Sequence, residues 1–200
     1  MDEAHDERIS KLLRHDRTIR VIGFDDAPFE RASRAPVPIA GVVCADDRFE
    51  GMVWDEVTLD GDDATEVVGR RVASSKFMEQ LHALFLDGIA VAGFNVVDVV
   101  ALSRRLGLPV VTVMRRRPDW QAIEAALDNV EDGKARLAMM RRAGPVHRGD
   151  DVFFQSHGLS AAVAVELLRR TTRKGHIPEP IRFAHLIASA VVTGESGRRA

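Results

Sequence analysis

Apolar residues in this chain come first in short runs closed by acids, glycines and prolines, and the period later lengthens to that of helices. Thr18 to Phe24 is rich in β-branched residues and ends in Asp25-Asp26-Ala27-Pro28, where Pro28 cannot donate to a ladder, so a strand is expected. Pro36 and Pro38 keep the next connection extended. Ile39 to Ala45 is a second apolar run, Asp46 to Gly51 a polar turn, and Met52 to Leu59 resumes strand character, which together predict an antiparallel hairpin. From Ala64 to Leu81, Val67, Val68, Val72, Phe77, Met78 and Leu81 recur at helical spacing and predict one long helix. Leu84 to Asp87 reads as a buried strand, Val96 to Leu106 as a helix stopped by Gly107, and Pro109 to Met114 as a further strand. Strand, helix, strand over so short a span implies a right-handed parallel crossover. Helices are also expected at 119–127, 132–142, 159–172 and 178–192, with a short edge strand at 152–155.

Three antiparallel strands followed by parallel strand-helix units predict an α/β fold, a mixed sheet with helices on both faces. In residues 1–18 the apolar positions Ile9, Leu12 and Leu13 are too sparse for a firm amphipathic helix, so this stretch is expected to be a loosely attached leader to a single domain of residues 19–200.

Composition narrows the function classes. The 200 residues are 46% hydrophobic, enough for one sizeable core. A formal charge of -2 excludes a globally basic nucleic-acid binder, so any contact with phosphate has to be local. The one cysteine, Cys44, cannot form an internal disulfide and sits in an apolar run. Acids fill the first turns where a signal peptide would be basic, and no apolar segment approaches the roughly 18 residues of a membrane span. A cytoplasmic protein is expected, with no membrane contact.

The candidate chemistry is acidic. Asp87 closes a strand expected at the sheet's centre, where an unpaired carboxylate is costly without a metal or a basic partner. Asp25 directly continues the first strand. Its neighbour Asp26 must point to the other face, and an Asp-Asp turn before proline is the ordinary alternative for both. A second cluster holds Asp60, Asp62, Asp63 and Glu66. Asp63-Ala64-Thr65-Glu66 has capping-box spacing, but capping leaves Asp60 and Asp62 unexplained, and so many acids repel unless a cation or arginine offsets them. Asn95 and Asp98 are expected to cap the next helix. Three carboxylates from separate elements suggest a divalent-metal site.

Other chemistries lack their residues. The histidines, His185 among them, show no zinc spacing, and each is expected on the surface or in the core. No nucleophile elbow, Walker loop or dinucleotide fingerprint occurs. Arg115, Arg116 and Arg117 follow the strand ending at Met114, on the same carboxyl side as Asp87. They form either a solvated turn or a phosphate contact, to which Lys76, Arg182 and His185 are possible additions.

Gly23-Phe24-Asp25-Asp26-Ala27-Pro28-Phe29, Leu59-Asp60-Gly61-Asp62-Asp63-Ala64-Thr65-Glu66, and Leu86-Asp87-Gly88-Ile89 with Gly93-Phe94-Asn95-Val96-Val97-Asp98 resemble the endonuclease dU family, related to endonuclease V. Pro178 to His185 and Gly194-Glu195-Ser196 resemble its C-terminal pattern, and the likeness runs from about Arg20 to the end. The resemblance implies a ribonuclease-H-like fold with the first strand beside the fourth. It also implies Mg-dependent endonuclease action, with Mn as a possible substitute, on DNA at deaminated bases such as uracil or inosine, as in DNA repair. By motif order the catalytic acids fall on Asp25, Glu66 and Asp87, with Asp63 a rival of Glu66 as the second metal ligand. Arg115, Arg116, Lys76 and Arg182 are the matching candidates for nucleic-acid binding. The chain lacks the extended Phe-Arg-Glu and Asp-Gly-His-Gly motifs of endonuclease V and has no tyrosine, so base wedging does not carry over. Two rival classes are a non-catalytic nucleic-acid-binding protein on the same fold and a phosphoacceptor receiver domain. The prolines and hairpin after Asp26, where a receiver has a helix, argue against the second.

Overall fold

Seven strands form one mixed sheet in the computed structural model, which describes residues 2–32 and 35–197. The chain begins with helix α1 (Asp2–Arg14), then lays down β1 (Arg20–Asp26), β2 (Val37–Ala45) and β3 (Arg48–Val57). Helix α2 (Ala64–Ala73) leads to β4 (Ala83–Asp87), and a small hairpin, β5 (Ala90–Val91) and β6 (Asn95–Val96), precedes helix α3 (Val99–Leu106). After β7 (Val110–Met114) come helices α4 (Trp120–Leu127) and α5 (Gly133–Arg142), strands β8 (His147–Arg148) and β9 (Phe153–His157), and helices α6 (Ala161–Thr171) and α7 (Glu179–Thr193).

The order across the sheet is β3-β2-β1-β4-β7-β9-β8. β1, β2 and β3 pair antiparallel, the last two joined by the polar turn at Asp46-Asp47, where Asp46 takes a positive φ of 56°. β1, β4 and β7 pair parallel, as the crossover pattern predicts. The expected edge strand is instead an inner one. β9 runs antiparallel to β7 and carries β8 outside it, so the later strands are not all parallel.

Alternation along the central strands divides the core. Ile22, Phe24, Leu84 and Leu86 face α2 and α3, whereas Val21, Phe85, Val111 and Val113 face α1, α6 and α7. A fully buried side chain of this size contributes roughly 1.5–3 kcal/mol, so both faces are strongly anchored. At Gly23, a Cβ would come within 2.6 Å of the Ile181 backbone, so α7 crosses β1 at a distance only glycine permits. That contact fixes what lies above the end of β1.

Three expectations change. The segment read as a loose leader is helix α1, docked with Ile9 only 1% exposed and Leu12 and Leu13 against the same core. Sparse apolar residues suffice because they share one face. The long helix predicted over 64–81 ends at Ala73, where Ser75 Oγ returns a hydrogen bond to the Val72 carbonyl, and Met78–Gln80 forms a separate 3-10 turn. The helix predicted from Val96 starts at Val99, because Asn95-Val96 pairs in the small hairpin and Asp98 accepts from Val100 N and Ala101 N as its cap.

Candidate active site

Parallel pairing of Gly23 with Phe85 and Phe24 with Leu86 makes Asp25 and Asp87 the next residues level with one another on adjacent strands. Strand neighbours lie about 4.8 Å apart, and both side chains follow the face of Gly23 and Phe85, toward α7. The sequence reading of these two acids at one carboxyl edge is therefore matched by their placement. Two basic partners meet them. His185, one helical turn beyond Ile181 on α7, sets Nδ1 2.9 Å from Asp25 Oδ2. Arg115, just past β7, donates Nη1 to both Asp87 oxygens at 3.0 and 2.8 Å.

These four residues and Asp26 line an open cavity of about 440 Å³, with Pro28 and Phe29 as its apolar wall. Concavities as large lie elsewhere on the surface; the chemistry of the lining singles this one out. Asp25 is 5% exposed, and burial pushes its carboxyl up to about 7 against the lowering pull of the His185 hydrogen bond, with Asp87 and Asp26 adding to the rise. His185 is raised chiefly by its hydrogen bond to Asp25.

Asp26 points the other way, as alternation requires. Its Oδ2 accepts the Ala92 N–H at 2.5 Å, and burial raises it against that bond. The second acidic cluster does structural work around the same loop. Asp60 accepts the Phe94 N–H at 2.8 Å. Asp63 accepts from Thr58 N, Thr58 Oγ1 and Asn95 Nδ2, and these bonds outweigh its burial to hold it below the usual carboxylate range. No capping box forms at Asp63, which gives α2 no side-chain cap, and the Ala64 N–H goes to Asn95 Oδ1 instead. Glu66 points from α2 to Arg105 on α3, which lowers it, and it does not line the cavity.

The basic candidates scatter. Arg115 is at the site, and Arg116 and Arg117 follow it in solvent. Arg182 pairs with buried Glu179 and lies over the Phe183 ring, in a different cavity beside the Asp46-Asp47 turn. Lys76 sits over Phe77 ahead of β4, at the amino edge of the sheet. His185 is the residue whose pairing with Asp25 histidine spacing could not show, because the two are 160 positions apart; the sequence offered it only as a possible phosphate contact and within the C-terminal likeness.

Two carboxylate oxygen donors level on adjacent strands suit a hard divalent cation such as Mg, which takes one or two carboxylates and completes its shell with water or phosphate oxygens. The buried Asp25, raised by its anionic neighbours, is the group such a charge would relieve. Among the described residues no three His, Cys, Asp or Glu side chains stand ready to hold a metal together, and the two carboxylates that meet at this edge are Asp25 and Asp87.

The sheet order and the parallel β1-β4 pair give a mixed α/β fold of the kind seen in endonuclease V structures. Endonuclease V from Ciona intestinalis, solved with DNA containing an inosine, superposes with a TM-score of 0.61 at 15% identity, covering 94% of this chain and 99% of that one. Human endonuclease V gives 0.59 at 16% identity over 97% and 99%. At such identities the likeness is one of fold. The chain belongs to the endonuclease dU family, whose model matches residues 17–192. A UPF0215 protein of Methanothermobacter thermautotrophicus is 43% identical over 183 residues, 89% of this chain and 90% of its own. The crystal structure of a protein of unknown function from Archaeoglobus fulgidus matches with a TM-score of 0.82 at 38% identity, covering 86% and 98%. No helix among the described residues is long and apolar enough to cross a membrane.

Proposed function

We propose that the protein is a divalent-metal-dependent nuclease that hydrolyses phosphodiester bonds in DNA, acting at deaminated bases such as uracil or inosine. The observation that carries this reading is the pair Asp25 and Asp87, level on adjacent parallel strands with His185 and Arg115 already on them. Asp25 and Asp87 would hold Mg, or Mn in its place. A bound cation there supplies an activated water and offsets charge developing on the phosphate.

The chain's own groups supply the rest. His185 orients the Asp25 carboxylate and, raised by that hydrogen bond, holds a proton at Nδ1. Arg115, half exposed at the mouth, can swing its fork from Asp87 to an incoming phosphate, whose oxygens it matches bidentately. Arg116 adds a neighbouring phosphate contact, and Pro28 and Phe29 form an apolar wall beside the acids. Glu66 and Asp63 fall outside this assignment because Arg105, Thr58 and Asn95 already engage them.

The test is nicking of oligonucleotides carrying uracil, inosine, xanthine or no lesion, with and without Mg or Mn, with product ends mapped. Cleavage that needs the metal and falls at least 100-fold in Asp25→Asn and Asp87→Asn is expected. Undiminished turnover in either variant rejects the assignment. One feature favours a second reading, a non-catalytic nucleic-acid-binding protein: both acids already have basic partners. Its affinity would need no metal and would weaken with salt.

A further inference from the structure

At the amino ends of the central strands, opposite Asp25 and Asp87, lies a second cavity of about 580 Å³, lined by Arg8, Lys11, Leu12, His15, Arg17 and His82. We propose that it binds phosphate groups. No acid lines it. Arg8, Lys11 and Leu12 recur at i, i+3 and i+4 on one face of α1, and His15 comes at i+7, just past its last residue, Arg14. Arg17 follows the turn, and His82 stands just ahead of β4.

Three acids near this end are held by arginines outside the cavity. Arg170 takes both Asp16 and Asp46, and Arg20 takes Glu50. Arg8, Lys11, His15 and Arg17 pair with no carboxylate among the described residues. An anion seated among cationic side chains offsets their mutual repulsion. The Arg20 N–H donates to His82 Nδ1 at 3.0 Å, which leaves the hydrogen of the neutral ring on Nε2. Burial, then Arg8, lowers His82, so it meets a ligand as a neutral N–H donor beside four basic groups. Planar arginine forks, an ammonium and a ring N–H suit phosphate oxygens. Arg8, Lys11 and His15 precede the family-matched residues, which begin at 17.

β1 separates this cavity from Asp25 by five residues, roughly 17 Å of strand, so a phosphate here is remote from the catalytic pair. Its source is either the backbone of a bound polynucleotide or a free phosphorylated molecule. The first arm rests on the nucleic-acid reading above; the second does not.

The experiment compares the full-length protein with Arg8→Ala/Lys11→Ala/Arg17→Ala, all in the Asp25→Asn background without divalent metal. Anisotropy of a fluorescein-labelled DNA duplex is followed across a salt series, and melting is followed across an inorganic pyrophosphate series. At least a five-fold weaker duplex affinity is expected, with a salt slope shallower by about 2–3 at roughly 0.9 per phosphate contact. A pyrophosphate-dependent rise in melting temperature that the triple variant lacks assigns the source to a free phosphorylated molecule. A change confined to the duplex assigns it to the polynucleotide. Should the triple variant lose its melting transition, Arg17→Ala alone repeats both arms. Unchanged behaviour in both overturns the site, and does so whether or not the protein proves to be a nuclease.

Discussion

His185 Nδ1 lies 2.9 Å from Asp25 Oδ2, joining the last helix to the first strand across 160 positions of chain. The contact exists because Gly23 lets α7 lie on β1, which sets Ile181 over Gly23 and His185, one turn on, over Asp25. Both groups are raised in the folded protein, so each binds its proton more tightly there than in the unfolded chain.

The sign of the pH effect follows. For a raised group, stabilisation is fully present below the unfolded pKa and is lost as pH climbs through the folded one. For Asp25 that window runs from 3.8 to about 7, and for His185 it opens at 6.5 and extends upward. Metal-free protein should therefore lose stability with rising pH, by roughly 2–4 kcal/mol across this window for so buried a carboxyl. Urea unfolding in EDTA at several pH values checks it. Asp25→Asn should flatten the curve; an equal slope in that variant would place the titration elsewhere.

Arg115 occupies both oxygens of Asp87, so a cation has to compete with it. Arg115→Ala should bind Mg more tightly than wild type, by about three- to ten-fold if the exchange is worth about 1 kcal/mol. The same variant should bind nucleic acid more weakly and turn over more slowly. Mg titrations followed by melting temperature separate the effects, and weaker Mg binding in the variant would contradict the competition.

The strand pattern was legible because period-two alternation and Gly or Pro breaks are local, and so the β1-β2-β3 hairpins, the parallel β4 and β7 and the paired carboxyl edge of Asp25 and Asp87 could be read ahead of the structure. His185 and the inner position of β9 could not, since each is decided by which remote segment packs against it. The acidic cluster at 60–66 is the converse case. Its residues look like ligands in one dimension, yet Asp60 and Asp63 are spent on the backbone of the 92–95 turn and on Thr58. Sparse apolar residues hid α1, whose basic face also went unread.

Glu66 gives a sharp comparison between sequence order and position. Its carboxylate is two-thirds exposed and held by Arg105, away from Asp25 and Asp87. Glu66→Gln should leave nicking within about two-fold of wild type and stability unchanged, since exposed pairs contribute little. A loss comparable with that of Asp87→Asn would return Glu66 to the catalytic set.

Asn95 holds the loop between Asp87 and α3 in place, and it is fully buried. Its Oδ1 accepts the first N–H of α2, from Ala64, at 3.0 Å, and its Nδ2 donates to the Thr58 carbonyl at 2.9 Å and to Asp63 at 2.6 Å. Asn95→Ala strands a buried N–H, a carbonyl and part of a carboxylate, and losses of this kind cost about 1–3 kcal/mol for each group left unsatisfied. A net destabilisation of about 2–4 kcal/mol is expected, allowing for relaxation and water entry. Asn95→Asp should be worse, because it sets a second carboxylate against Asp63 and loses the Nδ2 donor to Thr58. Because Ala92 and Phe94 of this loop also bond to Asp26 and Asp60, loosening it should slow turnover before the whole domain unfolds. Hydrogen exchange at the Ala92 and Phe94 amides reads that order directly, and protection equal to wild type in Asn95→Ala would show that the latch is not what holds the loop.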